Sequence, residues 1–515
     1  MTIPAEFAAP GETEIEAPAW GIRFARPNLA GGGLALRRLH VPAQLIVPLQ
    51  QHIGQPATAL VRVGDTVLRG EPLGSMPAGT LGAAVHAPSS GRVTGIGPHA
   101  LPGRGPCDCV YIETDGADTA WPGYSPLADP LGIPANALRA AAGAAGIVGL
   151  GGATFPTLFK LNRGNGIKLL IINGVECEPG INCDDALMRD RAAGILFGAR
   201  IMLHILAAPA CIIALKSEAT AALDAMRGAL AALGDQRIRL ACIPSVYPAG
   251  GEAQLVQLLT GQEIPAGGLP ADLGVVCNNV ATAAALAHFF ATGEPLISRI
   301  VTVTGPGVVT PMNIEARIGT PVSELIRAAG GYRSDAVKLL MGGPMMGMPL
   351  ATDDVPITKA CNCIYVEPAS GNAQSPEMPC IRCGECATVC PVTLTPQLLL
   401  QAQRTSDFEK LQQLGLRECI ECGCCDYVCP SHIPLTARFV TAKHALWNIN
   451  FEQRRARDAE SSYRAREERL YRRAQARQQE LDEQTDRVDT LSPDAKAELQ
   501  ALMERVADKP GDNEP

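Results

Sequence analysis

The sequence predicts a multidomain α+β protein with five parts: a sandwich-barrel-like N-terminal domain, an α/β domain, a β-grasp-like unit, a cysteine-rich domain and a charged helical tail. A chain of 515 residues is too long for one core and suggests about three to five domains. The 52 glycines and 41 prolines indicate many turns and shaped loops. Along the chain, short apolar runs give way to longer strand–helix alternation and then to a charged helical pattern.

The first part is predicted to be β-rich. Residues 1–33 read as a polar, proline-bearing tail, and residues 34–125 hold short apolar runs between turns. Gly64-Asp65 separates two such runs and is typical of a hairpin turn. The stretches 61–74 and 86–93 resemble the lipoyl/biotinyl sandwich barrel, without a lysine at the swinging-arm position, so we expect a structural relative and not a carrier domain. The predicted strands are Ala43–Pro48, Ala59–Val63, Thr66–Leu68, Gly91–Ile96 and Val110–Glu113.

Residues 130–295 change to alternating strands and helices, which implies a parallel sheet with ligand chemistry at the carboxyl ends of its strands. The predicted helices are Ala135–Ile147 and Glu218–Leu233. The predicted strands are Lys168–Ile172, Cys211–Leu215, Arg237–Ile243 and Gly274–Cys277.

Two further parts follow. Residues 297–366 are predicted to be a β-grasp-like unit with one helix, Val322–Ala329, and residues 375–440 hold the cysteine repeats. Residues 445–515 form a charged helical tail in which nine arginines lie between Arg454 and Arg477. Because the tail lacks a sustained apolar heptad, we expect it to be solvent-exposed or partly disordered, and favour a solvated helix over contact with anionic lipid.

Charge and cysteine usage exclude several classes. A net charge of -8 argues against nucleic-acid binding, which normally requires a basic domain. Of 18 cysteines, ten lie between Cys361 and Cys425, and such crowding in a large chain with no secretory start favours metal ligation in a reducing, cytoplasmic compartment. The best membrane-span candidate, Ile195–Leu215, is interrupted by Arg200, His204 and Pro209, so we expect no transmembrane segment.

The cysteine-rich domain contains two copies of the spacing C-x-x-C-x-x-C-x-x-x-C-P, the spacing of bacterial two-cluster ferredoxins. In that arrangement three cysteines hold one [4Fe–4S] cluster and the fourth ligates the other cluster. Gly384 and Gly423 let the backbone bend close to the sulfides. The predicted ligands are Cys380, Cys383, Cys386 and Cys429 for cluster 1, and Cys419, Cys422, Cys425 and Cys390 for cluster 2.

Other interpretations of the cysteines are weaker or open. Two structural zinc sites would not explain the third cysteine of each repeat or the Cys-Pro ending. Cys424 is interpreted as a non-ligand, and a third metal site at Cys361 and Cys363 stays open. The default for the remaining cysteines is a buried thiol.

A glycine loop, Gly149–Thr157, is followed by Lys160. Such a loop lets backbone amides approach a phosphate while the lysine adds a point charge. It fits neither Walker A nor the GxGxxG fingerprint, and it is weak evidence alone. Three more segments each follow a predicted strand, where an open α/β sheet places its ligand: Asn173–Pro179, Tyr247–Glu252 and Asn278–Thr282.

Together these segments resemble the FMN- and NADH-binding domain of the flavoprotein subunit of respiratory complex I. The order of barrel, flavin domain, β-grasp-like unit of the SLBB type and two-cluster ferredoxin, over about residues 35–440, resembles the C subunit of the Rnf (Rsx) ion-translocating electron transport complex. Two departures from the complex I flavoprotein matter: Leu150 stands where those flavoproteins commonly carry arginine, and this chain has two cluster motifs where they have one.

The resemblance implies cofactor-binding residues. Gly149, Gly151 and Lys160 would hold the FMN phosphate and ring edge, and Gly152 and Gly250 belong to the same loops. The implied flavin contacts are Asn173, Glu176, Asn278, Asn279 and Thr282. The implied nicotinamide nucleotide site is shaped by Phe155, Glu178 and Glu252. No side chain is expected to act as a general acid or base, because the cofactors carry the chemistry.

The resemblance also implies a function. NADH would be the substrate, and electrons would pass through FMN and two [4Fe–4S] clusters toward ferredoxin or flavodoxin, coupled to ion translocation. The partners would be another iron–sulfur subunit and polytopic membrane subunits at the cytoplasmic face of the bacterial inner membrane. A soluble cobalamin reductase of the propanediol-utilisation type and a flavin-free iron–sulfur adaptor are the alternatives.

Overall fold

The fold is taken from a computed structural model that describes residues 12–24, 34–77, 79–103, 105–162, 166–333, 337–368 and 376–507. The chain divides into two compact units, Met1–Val440 and Thr441–Pro515.

Two short strands near the N-terminus each complete a sheet formed by later residues. β1 (Glu12–Glu14) pairs in parallel with Leu240–Cys242, and β2 (Leu36–Arg38) pairs in parallel with Asn313–Glu315. The prediction of a tail over residues 1–33 is therefore wrong for residues 12–24. β1 has only three residues, two of them charged, so its sequence shows no alternating pattern that would predict a strand. Its pairing depends on contacts with residues far along the chain, such as that between Glu12 and Cys242, which are 230 positions apart.

The barrel-sandwich region holds two small sheets around one apolar core. Its strand orders are β3-β9-β8-β5 and β4-β6-β7. Gly64 has a φ of +99° and forms a turn, but β4 pairs with β6 and β5 pairs with β8. The predicted hairpin at Gly64-Asp65 is therefore wrong, since its flanking strands belong to different sheets. The strands are β3 (Gln44–Pro48), β4 (Thr58–Ala59), β5 (Thr66–Val67), β6 (Pro72–Ser75), β7 (Val85–His86), β8 (Gly91–His99) and β9 (Cys107–Thr114).

The α/β region has a parallel five-stranded sheet, order β1-β12-β11-β10-β13, covered by helices on both faces. The stretch weighed as a membrane span is the end of α3 followed by β11, and both are buried in the protein core. Within the described residues we find no helix that is both long and apolar enough to span a bilayer. The elements are α1 (Ala135–Ala144), α2 (Thr157–Lys160), β10 (Leu169–Gly174), α3 (Cys183–Leu206), β11 (Cys211–Lys216), α4 (Thr220–Leu233), β12 (Ile238–Ile243), α5 (Glu252–Thr260), β13 (Val275–Asn279) and α6 (Val280–Thr292).

The next region is a mixed sheet with one helix packed on it, order β17-β16-β18-β14-β15-β2. Its helix matches the predicted one to within a residue. The elements are β14 (Ser298–Thr304), β15 (Met312–Arg317), α7 (Val322–Ala328), β16 (Val337–Met341), β17 (Met348–Leu350) and β18 (Cys363–Pro368).

The cysteine repeats combine loops with two one-turn helices, α8 (Glu385–Thr388) and α11 (Cys424–Tyr427), and the helices α9 (Pro396–Arg404) and α10 (Phe408–Gln413) lie between the repeats. They are followed by α12 (Leu435–Asp489) and α13 (Pro493–Ala507). In the second compact unit, exposed ion pairs such as Glu460–Arg464 at 2.6 Å join residues one turn apart. The tail is thus helical and mostly exposed over its described residues, with Leu446 buried, and the choice of a solvated helix over contact with lipid stays a prediction.

A buried lysine joins three of these regions. Lys359 is 1% exposed, and its Nζ donates to the carbonyl of Ala84 in the barrel region (2.8 Å) and to that of Gly146 in the α/β region (2.7 Å). Its backbone N–H donates to Gln51 Oε1. Burial lowers the pKa of Lys359 to about 7, and burial also lowers the pKa of neighbouring His86 to about 3. The junction therefore favours uncharged forms of both groups.

Lys359→Met should remove a pH-dependent part of the stability. Because the unfolded chain holds the Lys359 proton up to about pH 10.5 and the folded chain releases it near 7, this group makes unfolding harder as pH rises between those values, by up to about 1.4 kcal/mol per pH unit. We expect the wild-type Tm to rise relative to that of Lys359→Met from pH 7 to 9.5. Lys338→Met, at an exposed position on β16 of the same β-grasp-like region, serves as the control. A constant Tm difference would contradict this account of Lys359.

Candidate functional site

The four segments predicted to bind a nucleotide meet at one edge of the parallel sheet. β10, β12 and β13 run in the same direction, so the loops after their carboxyl ends share that edge. The glycine loop packs against the end of β13, where a Cβ placed on Gly151 would lie 3.3 Å from Asn279 Cβ. The α/β pattern of the sequence predicted this convergence.

Two hydrogen bonds hold the glycine loop in shape. The N–H of Gly149 donates to the carbonyl of Phe155 across the loop at 2.8 Å. The N–H of Leu150 donates to Oγ1 of Thr282, a fully buried residue in the first turn of α6, at 2.9 Å. Phe155 and Thr282 thus shape the loop, whatever further contacts they make with a ligand.

Three consecutive amides of this loop point to no protein acceptor. Within the part of the chain that the structure describes, the N–H groups of Gly151, Gly152 and Ala153 donate to no backbone or side-chain oxygen. All three residues are exposed, and Gly152 has a φ of +112°, which favours glycine. Successive unsatisfied amides around such a turn form a concavity that suits an anionic group.

A lysine and a carboxylate from different segments form an ion pair at the site. Lys160 at the end of α2 and Glu252 at the start of α5 are joined at 2.6 Å between Nζ and Oε1. Asn173 at the end of β10 donates from Nδ2 to the carbonyl of Gly250 at 2.8 Å. These contacts bring residues that the resemblance assigned to the flavin and residues that it assigned to the nicotinamide nucleotide into one place.

The two asparagines after β13 have different roles. Asn279 caps α6 by accepting from the N–H of Ala281 at 2.8 Å, and its Nδ2 donates to Asp184 Oδ2 at 2.7 Å. Asn278 is 3% exposed, and neither its Oδ1 nor its Nδ2 has a hydrogen-bond partner among the described residues. A buried amide with no partner is destabilising unless a ligand or water satisfies it.

An acidic group lies beside Asn279. Glu176 Oε1 accepts from the N–H of Asp184 and from the thiol of Cys183, each at 3.1 Å. Burial, together with the charge of Glu176, raises the pKa of Asp184 to about 7. Glu176 Oε2 is buried without a partner among the described residues, which suits a contact with a polar group of a ligand.

Glu178 makes contacts that the sequence did not indicate. Its Oε1 accepts the N–H groups of Met345 at 2.7 Å and Met346 at 3.1 Å, both in the loop between β16 and β17. Burial raises the pKa of Glu178. This carboxylate therefore fixes a loop of the β-grasp-like region against the α/β region.

The residues present fit a flavin mononucleotide. The exposed amides of the glycine loop and the nearby Lys160 suit a phosphate. The unpartnered amide of Asn278 and the free oxygen of Glu176 suit the hydroxyl and ring-edge groups of a flavin.

The cysteines predicted for cluster 1 line one cavity. Cys380, Cys383, Cys386 and Cys429 all face an opening of about 380 Å³, counted to its open mouth. Cys383 is exposed, as is the neighbouring Ile381 at 68%. A cavity bounded by four cysteine side chains close to the surface fits a [4Fe–4S] cluster.

The two repeats have the same backbone conformation. Left-handed residues occur at equivalent places of each: at Arg382 and Glu421 (φ +59° each), at Gly384 and Gly423, and again three residues after the last cysteine. Non-glycine residues rarely adopt this left-handed backbone conformation. Its occurrence at matching positions therefore means that both repeats form the same turns. This repetition fits two equivalent metal sites.

The cluster 2 cysteines are more buried. α8 packs against α11, which brings Cys390 toward Cys422, and the N–H of Leu394 donates to Cys390 Sγ at 3.3 Å. Burial, with the nearby Cys422, raises the pKa of the Cys390 thiol. Exchange of the fourth ligand between the repeats is consistent with this packing.

Tyr247 links the α/β region to the cluster 2 loop. Its hydroxyl donates to the carbonyl of Cys422 at 2.6 Å, and its own carbonyl lies 3.9 Å from the Sγ of Cys424. Ile22 pairs with the Tyr247 backbone, and Met345 packs into the same apolar group. The Cys424 thiol thus lies between the Tyr247 carbonyl and the thiol of the predicted ligand Cys422, and its interpretation as a non-ligand stays a prediction.

Cys361 and Cys363 are fully buried, and burial raises the pKa of Cys361 to about 12. In the described part of the chain, neither cysteine belongs to a group of three ligand atoms that all lie within 4.8 Å of one another, so a third metal site there gains no support from the structure.

Sequence reasoning missed two positions at this site. Asp184 and Arg299 carry no motif, and only the fold brings them to the glycine loop; Arg299 donates to the carbonyl of Leu150. The hydroxyl of Tyr247 was within a noted segment, but its contact with Cys422 joins residues 175 positions apart.

Serine substitutions should separate ligands from the extra cysteine. Cys429→Ser removes a predicted ligand and should leave roughly four iron atoms fewer per chain, by the arithmetic of a two-cluster ferredoxin. Cys424→Ser, which changes a buried thiol aimed at Tyr247, should keep the iron content of the wild type. Iron analysis and EPR of the reduced proteins provide the measurement; equal iron loss in both variants would contradict the assignment.

Comparison with known proteins gives four matches along the chain. Residues 21–117 match the RnfC barrel sandwich hybrid domain, and residues 143–288 match the Nuo51 FMN-binding domain. Residues 300–349 match the SLBB domain and residues 378–433 match a 4Fe-4S dicluster domain.

Full-length relatives agree with these matches. The C subunit of the ion-translocating oxidoreductase complex of Erwinia tasmaniensis is 43% identical over 495 residues, which is 95% of this chain and 60% of that protein. The chain spans about three fifths of the length of such relatives. The corresponding protein of Rhodobacter capsulatus, with the same name, is 44% identical over 415 residues, covering 80% of this chain and 79% of that protein.

Among solved structures, the NAD+-reducing [NiFe]-hydrogenase in the air-oxidized state aligns with a TM-score of 0.45 and 19% identity over 62% of each chain, too low to carry an argument. The domain order and the relatives place the chain in a family: it belongs to the C subunits of ion-translocating oxidoreductase complexes, and it carries a domain of the Nuo51 FMN-binding type and a 4Fe-4S dicluster domain.

Proposed function

We propose that this chain is the electron-input subunit of an Rnf-type complex, taking electrons from NADH and passing them singly to partner subunits. The observation that supports this most is that Tyr247, which begins one of the four nucleotide segments, donates from its hydroxyl to the carbonyl of the cluster 2 cysteine Cys422. In this proposal the final acceptor is ferredoxin or flavodoxin, the flow is coupled to ion translocation, and the chain lies peripherally at the cytoplasmic face of the inner membrane.

FMN, when bound, would accept hydride from NADH and release single electrons, a chemistry that amino-acid side chains do not supply. The chain would hold its phosphate with the amides of Gly151 and Gly152 and with Lys160. Asn173, Glu176 and the residues Asn278, Asn279 and Thr282 would surround the remainder of the flavin. Gly149 would act by shaping the loop through its bond to Phe155.

The nicotinamide nucleotide would lie over the flavin beside Phe155 and Glu252. Glu252 pairs with Lys160 at 2.6 Å. Ligand binding would break this ion pair, since Lys160 would then contact the FMN phosphate and Glu252 the nicotinamide nucleotide. Glu178 would act indirectly, because its carboxylate is engaged with the N–H groups of Met345 and Met346. These contacts would keep the loop beside the nucleotide in place.

The surroundings of the two cysteine sets support an order of electron flow. The set with Cys390 and Cys422 contacts the α/β region through Tyr247, whereas the set with Cys383 opens to the surface. We infer that electrons enter at cluster 2 and leave from cluster 1 toward an iron–sulfur partner. Polytopic subunits would provide the membrane attachment.

Of the two alternatives, the cobalamin reductase gains no support from the relatives, which are named as C subunits of ion-translocating complexes. A flavin-free adaptor would need no anion-binding loop, and the open amides beside Lys160 favour a bound cofactor instead.

The first test is the cofactor content of the intact chain. Reconstituted without oxygen, it should contain about eight iron atoms, by the arithmetic of two [4Fe–4S] clusters, and about one FMN. Anaerobic NADH should bleach the flavin absorbance and reduce an artificial acceptor. Iron without retained flavin would support the adaptor, and flavin that NADH does not reduce would overturn NADH as the substrate.

Tyr247→Phe should slow electron passage from the flavin to the clusters. The change removes one hydrogen bond to the Cys422 carbonyl, worth on the order of 1 kcal/mol, or about fivefold in an equilibrium. We expect flavin reduction by NADH to stay within about twofold of wild type, with cluster reduction slowed roughly fivefold by the loosened Cys422 loop.

Stopped-flow absorbance resolves the two steps of this experiment. Tyr332→Phe is the matched control, because it removes a tyrosine hydroxyl bond to Asp353 in the β-grasp-like region. If both tyrosine variants reduce the clusters at the wild-type rate, Tyr247 does not hold the electron-transfer contact.

A further inference from the structure

Arg299 on β14 is a buried cation directly beneath the glycine loop. It is 4% exposed, and its two terminal nitrogens donate to the carbonyl of Leu150 at 2.9 Å each. Its other bonds go to the carbonyls of Lys359 (2.8 Å) and Cys361 (3.1 Å). The guanidinium, which belongs to the β-grasp-like region, thus hydrogen-bonds the main chain of the α/β region.

The grip on Leu150 determines where the next amide points. In a planar trans peptide the C=O of one residue and the N–H of the next point in opposite directions. Because Arg299 holds the Leu150 carbonyl from beneath, the N–H of Gly151 is directed to the opposite, open side of the loop. Thr282 holds the N–H of Leu150 at 2.9 Å, so the peptides on both sides of Leu150 are fixed.

The same contact strengthens the Gly151 amide as a donor. Hydrogen bonds in a chain polarise one another, and a charged donor on the carbonyl side makes the attached N–H more positive. The N–H of Gly151 has no acceptor among the described residues. It is therefore available to an anion above the loop.

The charge of Arg299 is not neutralised by a contacting carboxylate. Within the described residues, no Asp or Glu oxygen forms an ion pair with it. Asp184 is close enough for its pKa to respond to Arg299, but burial and Glu176 dominate and raise that pKa. A guanidinium remains charged when buried, so its field acts on the nearest anion that the loop can bind.

We propose that Arg299 is a positioning residue for the phosphate of the flavin: it orients and polarises the Gly151 amide and supplies a buried positive charge under the glycine loop. This inference rests on the proposed flavin site. Arg299 also places a positive charge beside the glycine loop from the β-grasp-like region, whereas Leu150, within the loop, carries no charge.

Comparing FMN with riboflavin, which lacks the phosphate, isolates this role. In the full chain, Arg299→Gln should weaken FMN binding about tenfold, the range for losing a charge-assisted hydrogen bond, while riboflavin affinity changes less than about threefold. Fluorescence titration of flavin-stripped protein gives both dissociation constants. Arg299→Lys, which keeps the charge but not the planar fork, should restore part of the preference for FMN.

Arg317→Gln is the matched control, because Arg317 lies on β15, the strand next to that of Arg299, and forms ion pairs with Asp118 and Glu294 instead of bonds to the glycine loop. It should leave the FMN-to-riboflavin ratio unchanged. A wild-type ratio in Arg299→Gln, with Tm near that of Arg317→Gln, would overturn the role of Arg299 and leave the flavin site intact. A wild-type chain that binds neither flavin would instead overturn the proposed function.

A measurement on the wild type keeps the proposal testable if Arg299→Gln does not fold. The second phosphate pKa of a free monoester is about 6. Phosphorus NMR of bound FMN should show a dianion down to about pH 5, because amides and a buried cation favour the charged form. Titration of bound phosphate near its free value would overturn the proposal.

Discussion

Two buried basic side chains, Arg299 and Lys359, constrain the relative positions of three regions of the first compact unit. They are 4% and 1% exposed, and their donors are satisfied by main-chain carbonyls. Leaving a buried donor without a partner is destabilising, so the carbonyls of Ala84, Gly146 and Leu150 must lie where these donors reach. The start of the glycine loop and the barrel strand beside it are thereby fixed by the β-grasp-like region.

Features that depend on local sequence were predictable. The two cysteine repeats carry their spacing within a dozen residues each, and the structure gives both repeats the same backbone turns. Buried strands such as β10 and β11 are continuous apolar runs, and such runs predict buried parallel strands from the local sequence alone. The nucleotide segments also came together as expected, because the carboxyl ends of parallel strands share one edge.

Features that depend on distant partners were not predictable. β1 pairs with β12 at the edge of the five-stranded sheet, and its three residues show no pattern that would predict this pairing. Gly64-Asp65 has the composition of a hairpin turn, but the strands on either side of it, β4 and β5, pair with other strands in two different sheets of the sandwich. Glu178 belongs to a segment that suggested nucleotide binding, but its carboxylate binds the amides of Met345 and Met346 across a boundary between regions.

The same dependence on surroundings distinguishes the two cysteine sets. Their loops are alike in spacing and in backbone conformation, so the ligands alone would make two equivalent sites. Tyr247, Ile22 and Met345 bury the loop of Cys422, whereas the loop of Cys383 stays open to solvent. Because reduction adds negative charge, burial disfavours it at the Cys422 loop relative to the exposed loop. In the proposed function, the surrounding regions, and not the repeats themselves, would therefore give electron transfer between the two clusters a direction.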